Sequence, residues 1–452
     1  MEIKEQLESM PIARVMAKHA TPTVLSQLVI LLYNLADTFF VGNTNNPSQV
    51  AALTISFPLF MTMTLIANLF GIGANSFMAR SLGAGNKERA EQASTLALYA
   101  SLGTMAIWML VMLVFMHPIL VTIGALTSET YAATRAYVRW TLIAGGFPTV
   151  AAMMLGHLSR GEGQTRRASF GMAVGGLLNI ALDPIFVQGL GMGAAGAGFA
   201  TFISNCVGTI YLLVCILRDK NSVIRLSPRN LSFDAVIARE VILVGLPAAT
   251  VVLLGAVANI TLTHHMATYG DVPVAAYGVV QKIGTVTIQI TVGLTQGIMP
   301  LLGYCYGAKD MTRLRAITRL SIIALAVYAS ACVALLELFP RQAILLFIQE
   351  EGTVELGTAF MRRWVLSSFG MCFTLLLNSF FQAMGKWPQS LALTVFRQGI
   401  MWIPLLIVLN RVMGMYGLVW SQPIADNISL CVGALMYART MREAGRQGHP
   451  SR

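Results

Sequence analysis

Residues 52–79 read ALTISFPLFMTMTLIANLFGIGANSFMA, and no charged side chain interrupts them. A helix needs about 20 apolar residues to cross the hydrocarbon core of a bilayer, so this stretch predicts a membrane-spanning helix. The rest of the chain has the same character: of 452 residues, 56% are hydrophobic and 11% are charged, and the mean hydropathy is +0.67. Soluble domains carry about 25% charged residues. The composition therefore excludes a soluble enzyme, a disordered chain and a nucleic-acid-binding domain, and predicts a polytopic membrane protein.

Twelve segments are long and apolar enough to span a bilayer, which predicts an all-α fold of twelve transmembrane helices. Several of them exceed 20 residues, which indicates tilted helices or extension beyond the hydrocarbon. The segments are 20–41, 52–79, 93–115, 133–156, 168–187, 194–217, 241–262, 275–303, 320–338, 359–383, 389–409 and 416–438.

The basic residues predict the orientation. With the N-terminus in the cytoplasm, 23 of the 31 Lys and Arg residues fall in inside segments, Arg160 among them, and 6 fall outside. Lys282 and Arg397 lie within spans. Because cytoplasmic loops carry an excess of Lys and Arg, we expect both termini inside, and the net charge of +11 does not indicate nucleic-acid binding. Residues 1–18 lack a long apolar core, so they predict a short amphipathic helix rather than a signal peptide.

The two halves of the chain resemble each other. Six spans in each half predict a parallel repeat of two six-helix bundles, related by an axis along the membrane normal. We expect an N-lobe at 1–217, a basic cytoplasmic linker containing Pro228 at 218–240, and a C-lobe at 241–452. Two such bundles around a central cleft favour a transporter over a channel. The matches are Val50-Ala51-Ala52 with Val274-Ala275-Ala276, Arg139-Trp140 with Arg363-Trp364 and Gly161 with Gly385, all at an offset of 224, and 85–88 with 307–310 at an offset of 222.

Ionisable residues inside a bilayer are costly and indicate function. Asp37 and Asp183 each lie about five residues, or roughly 7 Å, below the outer end of a predicted span. Asn179, one helical turn before Asp183, and Thr201 fall in the same layer. Two carboxylates, an amide oxygen and a hydroxyl can surround Na⁺, and the two acids can alternatively share a proton. A purely structural alternative is that Asp183 caps a helix break before Pro184.

Other polar and flexible residues are weaker candidates. Asn34 and Asn205 are spaced to support the cation layer from one turn away. Asp426 is the repeat-mate of a position near Asn205, and we expect Arg397 to reach the membrane surface or to pair with a carbonyl. Pro22 and the pair Gly71/Gly73 are candidate flexible points for a transport cycle. A substrate cavity could include a cation, an amide and adaptable thioethers, and the candidates are Lys282, Gln281, Met61 and Met153.

Enzyme and cofactor motifs give no support to another function. Gly191–Gly196 formally matches G-x-G-x-x-G, but it opens a span rather than following a strand, so we expect no dinucleotide site. There is no G-x-x-x-x-G-K-[ST], G-x-S-x-G or H-E-x-x-H motif. The sequence therefore predicts no ATP binding, no enzyme, no cofactor and no structural metal. His264 and His265, in a predicted outer loop, lack further ligands.

Several motifs resemble those of the MATE family, the multidrug and toxic compound extrusion transporters. The resemblance implies two six-helix lobes that export cationic or amphipathic drugs in exchange for H⁺ or Na⁺. Residue by residue, it implies a cation site at Asp37, Asn179, Asp183 and Thr201. The motifs are Ala36–Gly42 (ADTFFVG), 83–90 (GAGNKERA), 161–163 (GEG), 178–184 (LNIALDP) and 193–198 (GAAGAG).

The family comparison also sets expectations for the C-lobe and for the setting of the protein. Another branch of the family places acidic residues in the seventh and tenth spans, which here hold Asn259 and Asn378 but no Asp or Glu. We expect a monomer in a bacterial inner membrane, whose partners are the lipid bilayer and small amphipathic or cationic substrates.

Two rival functions remain open. A flippase for lipid-linked sugars could share this architecture, but its cavity should be strongly cationic, whereas only Lys282 and Arg397 lie within predicted spans. An intramembrane enzyme should show a nucleophile paired with a base, and the sequence shows no such pair.

Overall fold

A computed structural model of the chain describes residues 3–44, 46–227 and 234–447. This part of the chain is helical and contains no strand. The α-helices are α1 Ile3–Ser9, α2 Ile12–Gly42, α3 Pro47–Gly83, α4 Lys87–Thr122, α5 Ser128–Val138, α6 Gly146–Gly161, α7 Thr165–Asp183, α8 Ala194–Arg218, α9 Ala235–Ala267, α10 Asp271–Gly307, α11 Met311–Leu338, α12 Pro340–Leu345, α13 Glu351–Trp364, α14 Ser367–Ala383, α15 Trp387–Thr394, α16 Ile403–Met413 and α17 Met415–Gln447. Short π-helical segments occupy Arg139–Ala144, Pro184–Gly189 and Val395–Trp402.

The predicted all-α fold with twelve spans is confirmed. Among the described residues, nine helices are long and apolar enough to cross a bilayer, and two bent helix pairs bring the number to eleven. The twelfth span is α17, which is 33 residues long. It is less apolar than the others because Gln422, Asp426 and Asn427 lie near its middle.

The internal repeat is visible as matching irregularities in the two halves. The fourth span, α5 with α6, is bent by 49°, and the tenth, α13 with α14, is bent by 48°. The sixth and twelfth spans each begin after a glycine with positive φ, Gly193 at 57° and Gly414 at 61°. Glycine tolerates this conformation because it has no Cβ. The two bundles are therefore copies of one six-helix unit.

The turns after the second and eighth spans correct the register of the repeat. In the first turn the amide of Gly85 donates to Leu82 O at 3.1 Å, and in the second the amide of Lys309 donates to Tyr306 O at 3.1 Å. Gly85 therefore corresponds to Lys309 at an offset of 224. The offset of 222 predicted from the similarity of residues 85–88 to 307–310 was wrong, because it matched Gly85 to Gly307 by residue type rather than by position in the turn.

The two halves contact each other closely near one end of the bundle. We call this end, where α2 begins and α3 ends, the N-terminal face. At the N-terminal face, a Cβ on Gly83 would meet the backbone oxygen of Tyr304, and a Cβ on Gly307 would meet the backbone oxygen of Arg80. Gly83 and Gly307 are repeat-mates, so this contact between α3 and α10 is reciprocal about a pseudo-two-fold axis. Such close backbone approach requires small residues.

The contact between α3 and α9 also depends on glycine. A Cβ on Gly73 would meet the backbone oxygen of Val241, and one on Gly245 would meet that of Leu69. Gly73 is therefore a packing residue at the junction of the halves rather than a free hinge.

The segments outside the spans pack against the N-terminal face. The short helix predicted within residues 1–18 is α1, which buries Ile3 and Leu7. After α8, Ser222 Oγ and the amide of Val223 donate to Glu162 Oε2 at 2.8 and 3.1 Å. Within the predicted linker, residues 228–233, including Pro228 and Arg229, lie outside the described residues. The lobe boundaries stay a prediction.

We predict that Gly245→Ala destabilises the closed N-terminal face by about 1–3 kcal/mol, the usual range for overpacking, because the new methyl group meets the α3 backbone. Thermal unfolding of the purified protein in detergent measures this change. Gly103→Ala in α4 is the control, because a Cβ there meets nothing within 4 Å. It should be neutral or slightly stabilising. Equal unfolding temperatures for the two variants would contradict the role given to Gly245.

Candidate functional site

Three helices of the first half bring the predicted cation residues together. Asp37 lies on α2, Asn179 and Asp183 on α7, and Thr201 on α8, and their exposed fractions are 6%, 2%, 0% and 6%. Glycines on α7 allow this approach. A Cβ on Gly176 would meet the side chain of Val29 on α2.

The amide of Asn179 links the helices. Oriented to satisfy its hydrogen bonds, its nitrogen donates to Asp37 Oδ1 at 3.0 Å. Its oxygen then accepts from the backbone amide of Thr201 at 3.2 Å and lies 3.3 Å from the Thr201 hydroxyl. Asn179 thus holds one carboxyl oxygen of Asp37 at a fixed distance from α8.

The carboxyl groups of Asp37 and Asp183 lie within hydrogen-bonding reach of each other. Two ionised carboxylates this close in a low-dielectric interior repel each other, so the contact requires a shared proton or a bridging cation. Apart from Asp37, neither oxygen of Asp183 has a hydrogen-bond partner among the described residues. The side chain of Asp183 also makes no capping bond to the π-helical segment that follows it. The alternative in which Asp183 only caps a helix break is therefore wrong.

A cavity of about 330 Å³ adjoins this cluster between α2, α3, α6, α7, α8 and α10. Asn179 and Thr201 form part of its wall, and so do the predicted residues Met61 and Met153. Its other walls carry amides, hydroxyls and aromatic groups, which suits ligands of mixed polarity. These include Gln27, Tyr33, Asn68, Thr149, Gln289 and Gln296.

The two residues predicted to support the cation layer line the cavity but bond elsewhere. Asn34 donates to the backbone oxygen of Ile30 at 2.8 Å. Asn205 donates to Thr149 Oγ1 at 2.9 Å, which ties α8 to α6. Both side chains therefore shape the cavity wall.

Arg160 and His157 also line the cavity, and the sequence did not single them out. The sequence predicts that Arg160 lies in a loop, but it is 1% exposed in the last turn of α6. Its Nη2 lies 3.2 Å from His157 Nδ1, and its Nη1 donates to Met172 Sδ at 3.4 Å. The loop assignment was wrong because the predicted span ended at 156, five residues before α6 does. The i, i+3 spacing of His157 and Arg160 was the only available signal.

Other predicted residues lie outside this cavity. Lys282 is exposed on α10, and Gln281 donates to Asn259 Oδ1 at 2.8 Å. Their part in a substrate cavity stays a prediction. His264 and His265 lie in the last turn of α9 rather than in a loop.

The second half has a polar centre of a different kind. Arg397 Nε donates to Asp426 Oδ1 at 2.6 Å, and the two residues are 8% and 2% exposed. The expectation that Arg397 reaches the surface or pairs with a carbonyl was wrong, because a buried carboxylate lies within its reach. When Gly193 is matched to Gly414, Asp426 falls on Asn205.

We predict that Arg397→Met lowers stability by about 3–5 kcal/mol, because it leaves Asp426 as a buried carboxylate without its partner. The double variant Arg397→Met/Asp426→Leu should regain most of this loss, since no unpaired charge remains. Thermal unfolding of both proteins in detergent checks this. A double variant as unstable as the single one would show that Arg397 stabilises by packing rather than by pairing.

Comparisons with known proteins agree with this architecture. The MatE family model matches residues 22–185 and 247–408, one segment in each half. The chain is 26% identical over 425 residues to the multidrug export protein MepA of Staphylococcus haemolyticus, covering 93% of this chain and 92% of that protein. The Staphylococcus aureus protein of the same name is 26% identical over 436 residues, covering 95% and 94%.

Solved structures match over nearly the whole chain. An outward-facing multidrug resistance MATE family transporter of the MOP superfamily superposes with a TM-score of 0.91 at 26% identity, covering 98% of both chains. A MOP superfamily transporter from Pyrococcus furiosus, described as having a binding pocket of reversed polarity, gives 0.90 at 26% identity, covering 97% of this chain and 98% of that one.

Proposed function

This chain belongs to the MatE family, as its motifs predicted, and we propose that it exports amphipathic or cationic drugs in exchange for H⁺ or Na⁺. The observation that carries the proposal is the buried pair Asp37 and Asp183 beside a cavity of mixed polarity. The similarity to the staphylococcal multidrug export proteins supports this function.

We further propose that the N-terminal face is cytoplasmic and that the protein works as a monomer in a bacterial inner membrane. The excess of basic residues at this face supports the orientation. In this orientation the halves touch at the cytoplasmic end, so the structure corresponds to a state closed towards the cytoplasm.

The proposed coupling follows from electrostatics. A proton on the carboxyl pair, or Na⁺ between the two acids, removes their repulsion and draws α2 towards α7. Since α2 and α7 both line the cavity, the approach narrows it and displaces a bound substrate. A coupling ion can do this only to the extent that it binds the narrowed state more tightly.

We predict that Asp37→Asn and Asp183→Asn each abolish ion-driven export, because the amide can neither carry the exchanged proton nor supply a carboxylate for Na⁺. The measurement is dye transport by purified protein in liposomes, driven by an imposed proton gradient or, separately, by a Na⁺ gradient. The two gradients together identify the ion.

The matched control is Asp271→Asn, which removes an exposed carboxylate at the start of α10. It should transport at the wild-type rate. Wild-type transport by Asp37→Asn or Asp183→Asn would exclude that residue from coupling. Loss of monodisperse protein would instead indicate misfolding, so size-exclusion profiles accompany each assay.

We also predict that the coupling ion weakens drug binding. By thermodynamic linkage, if a drug opposes the narrowed state, ion and drug must reduce each other's affinity by the same factor. Drug affinity of the purified protein, measured across a pH series with and without Na⁺, should fall as the coupling ion is added. This dependence should disappear in Asp37→Asn. Wild-type affinity that is independent of both ions would overturn the competitive mechanism.

A further inference from the structure

A second cavity, of about 400 Å³, opens at the N-terminal face where the two halves meet. We call it the seam pocket. The first half contributes Phe77, Arg80 and Arg89, and the second contributes Glu240 and Lys309. It is separate from the cavity beside Asp37 and plays no part in the coupling proposed above.

The seam pocket is positively charged. Three cations line it against one carboxylate, Glu240, which accepts from Arg80 Nη2 at 3.1 Å. The guanidinium groups of Arg80 and Arg89 lie 5.6 and 5.7 Å from the ring centre of Phe77, so both are held beside one aromatic side chain. Arg80 Nε is buried and has no hydrogen-bond partner in the described structure. The pocket thus has excess positive charge and free donor capacity.

Lys309 occupies a backbone conformation that favours glycine. The turns after the second, fourth, eighth and tenth spans each place one residue at positive φ. Three of these residues are Gly85 at 77°, Gly163 at 87° and Gly385 at 71°. The fourth is Lys309 at 57°, and no other non-glycine residue in the described part of the chain has positive φ. A strained residue at a position where the other copies have glycine indicates that its side chain is needed for something other than the turn.

The repeat supplies an internal comparison. The positions equivalent to Gly307, Lys309 and Arg89 are Gly83, Gly85 and Arg313, and these line another cavity on the opposite side of the pseudo-two-fold axis. Helix α1 contributes Ile3 and Leu7 to its wall. Its cations are accompanied by several carboxylates, among them Glu8, Glu162, Asp219 and Asp310.

A general excess of basic residues at this face would make both cavities basic. The seam pocket has the single carboxylate of Glu240 where the other cavity has four, and it has Lys309 at the position where the other cavity has Gly85. The difference between two copies of one motif therefore points to an anionic ligand on one side.

We propose that the seam pocket binds the phosphate group of an anionic phospholipid from the leaflet at this face. Arginine and lysine side chains bind phosphate oxygens through charge-assisted hydrogen bonds. A basic pocket at the ends of membrane-spanning helices lies where lipid headgroups are concentrated. Because Arg80 and Arg89 belong to one half and Lys309 to the other, a bound phosphate joins the halves and favours the state closed at this face.

The test is thermal unfolding of the purified full-length protein in a neutral detergent. Separate titrations add phosphatidylglycerol, phosphatidylcholine and glycerol 3-phosphate. Phosphatidylglycerol should raise the unfolding temperature in a saturable way, and phosphatidylcholine should not. An equal effect of glycerol 3-phosphate at the same concentration would overturn the lipid as the source and assign the site to soluble phosphate esters. No effect of either anionic compound would overturn the site itself.

Lys309→Gly separates binding from folding. It removes the charge and also relieves the backbone strain, so the lipid-free protein should unfold at a higher temperature than wild type. The shift caused by phosphatidylglycerol should nevertheless fall at least twofold.

Arg89→Gln should reduce the same shift without raising the lipid-free unfolding temperature. Lys87→Gln, which removes a cation from the other cavity, is the matched control and should keep the wild-type shift. If phosphatidylglycerol raised the unfolding temperature of both Lys309→Gly and Arg89→Gln as much as that of the wild type, the seam pocket would be excluded as the lipid site.

Discussion

The close approach of Asp37 and Asp183 is the constraint on which the first half of the molecule depends. Two carboxyl groups within hydrogen-bonding reach and shielded from water cannot both be ionised without a counter-charge. The small residue Gly176 on α7 allows α2 to come near enough for this contact. Asn179 then holds Asp37 and is held in turn by Thr201. In the proposed mechanism, a change in the occupancy of this pair by a proton or cation changes how α2 packs on α7.

In the second half, the charge of the buried acid is balanced by an arginine of the chain itself. Arg397 pairs with Asp426, which takes the place of Asn205 in the repeat. A guanidinium tethered to its own chain cannot be exchanged with solution, so in this structure the buried acid of the second half is neutralised by the chain itself. The two bundles therefore differ in what neutralises their buried acids: a residue of the chain in the second half and, as proposed above, an exchangeable proton or cation in the first. The turns after the second and eighth spans also differ: the residue with positive φ is Gly85 in the first and Lys309 in the second.

The sequence predicted those features that depend on composition and spacing along one helix. Hydropathy placed the spans, and the equal depth of Asp37 and Asp183 brought them into one layer that the structure also shows. The failures involve helix ends, the register of a turn and contacts between helices. Nothing in the apolar run ending at 156 shows that α6 continues to Gly161 and carries Arg160 into a cavity. Likewise, the pairing of Arg397 with Asp426 joins positions 29 residues apart through the packing of two helices, which periodicity does not specify.

The glycines of α3 show how the same residue type supports opposite interpretations. Gly71 and Gly73 were candidate flexible points, but a Cβ on Gly71 would meet the ring of His157, and Gly73 lies against Val241. Both therefore fix α3 in place.

Helix α2 is the better candidate for bending. Its N-terminal part packs tightly against the second half, since Gly293 and Gly297 of α10 lie against the backbone of Val24 and Ala20. Its C-terminal part carries Asp37, which accepts a hydrogen bond from Asn179 of the first half. Pro22 lies within the N-terminal part, where it removes a backbone donor, and Thr23 Oγ1 donates to the backbone oxygen of His19 at 3.0 Å, a bond that favours bending. One helix thus connects the proposed ion site to the junction between the halves, and its residues Gln27, Ile30, Tyr33 and Asn34 line the cavity between them. In the proposed mechanism, a bend in this helix carries a change at the carboxyl pair to the cavity wall.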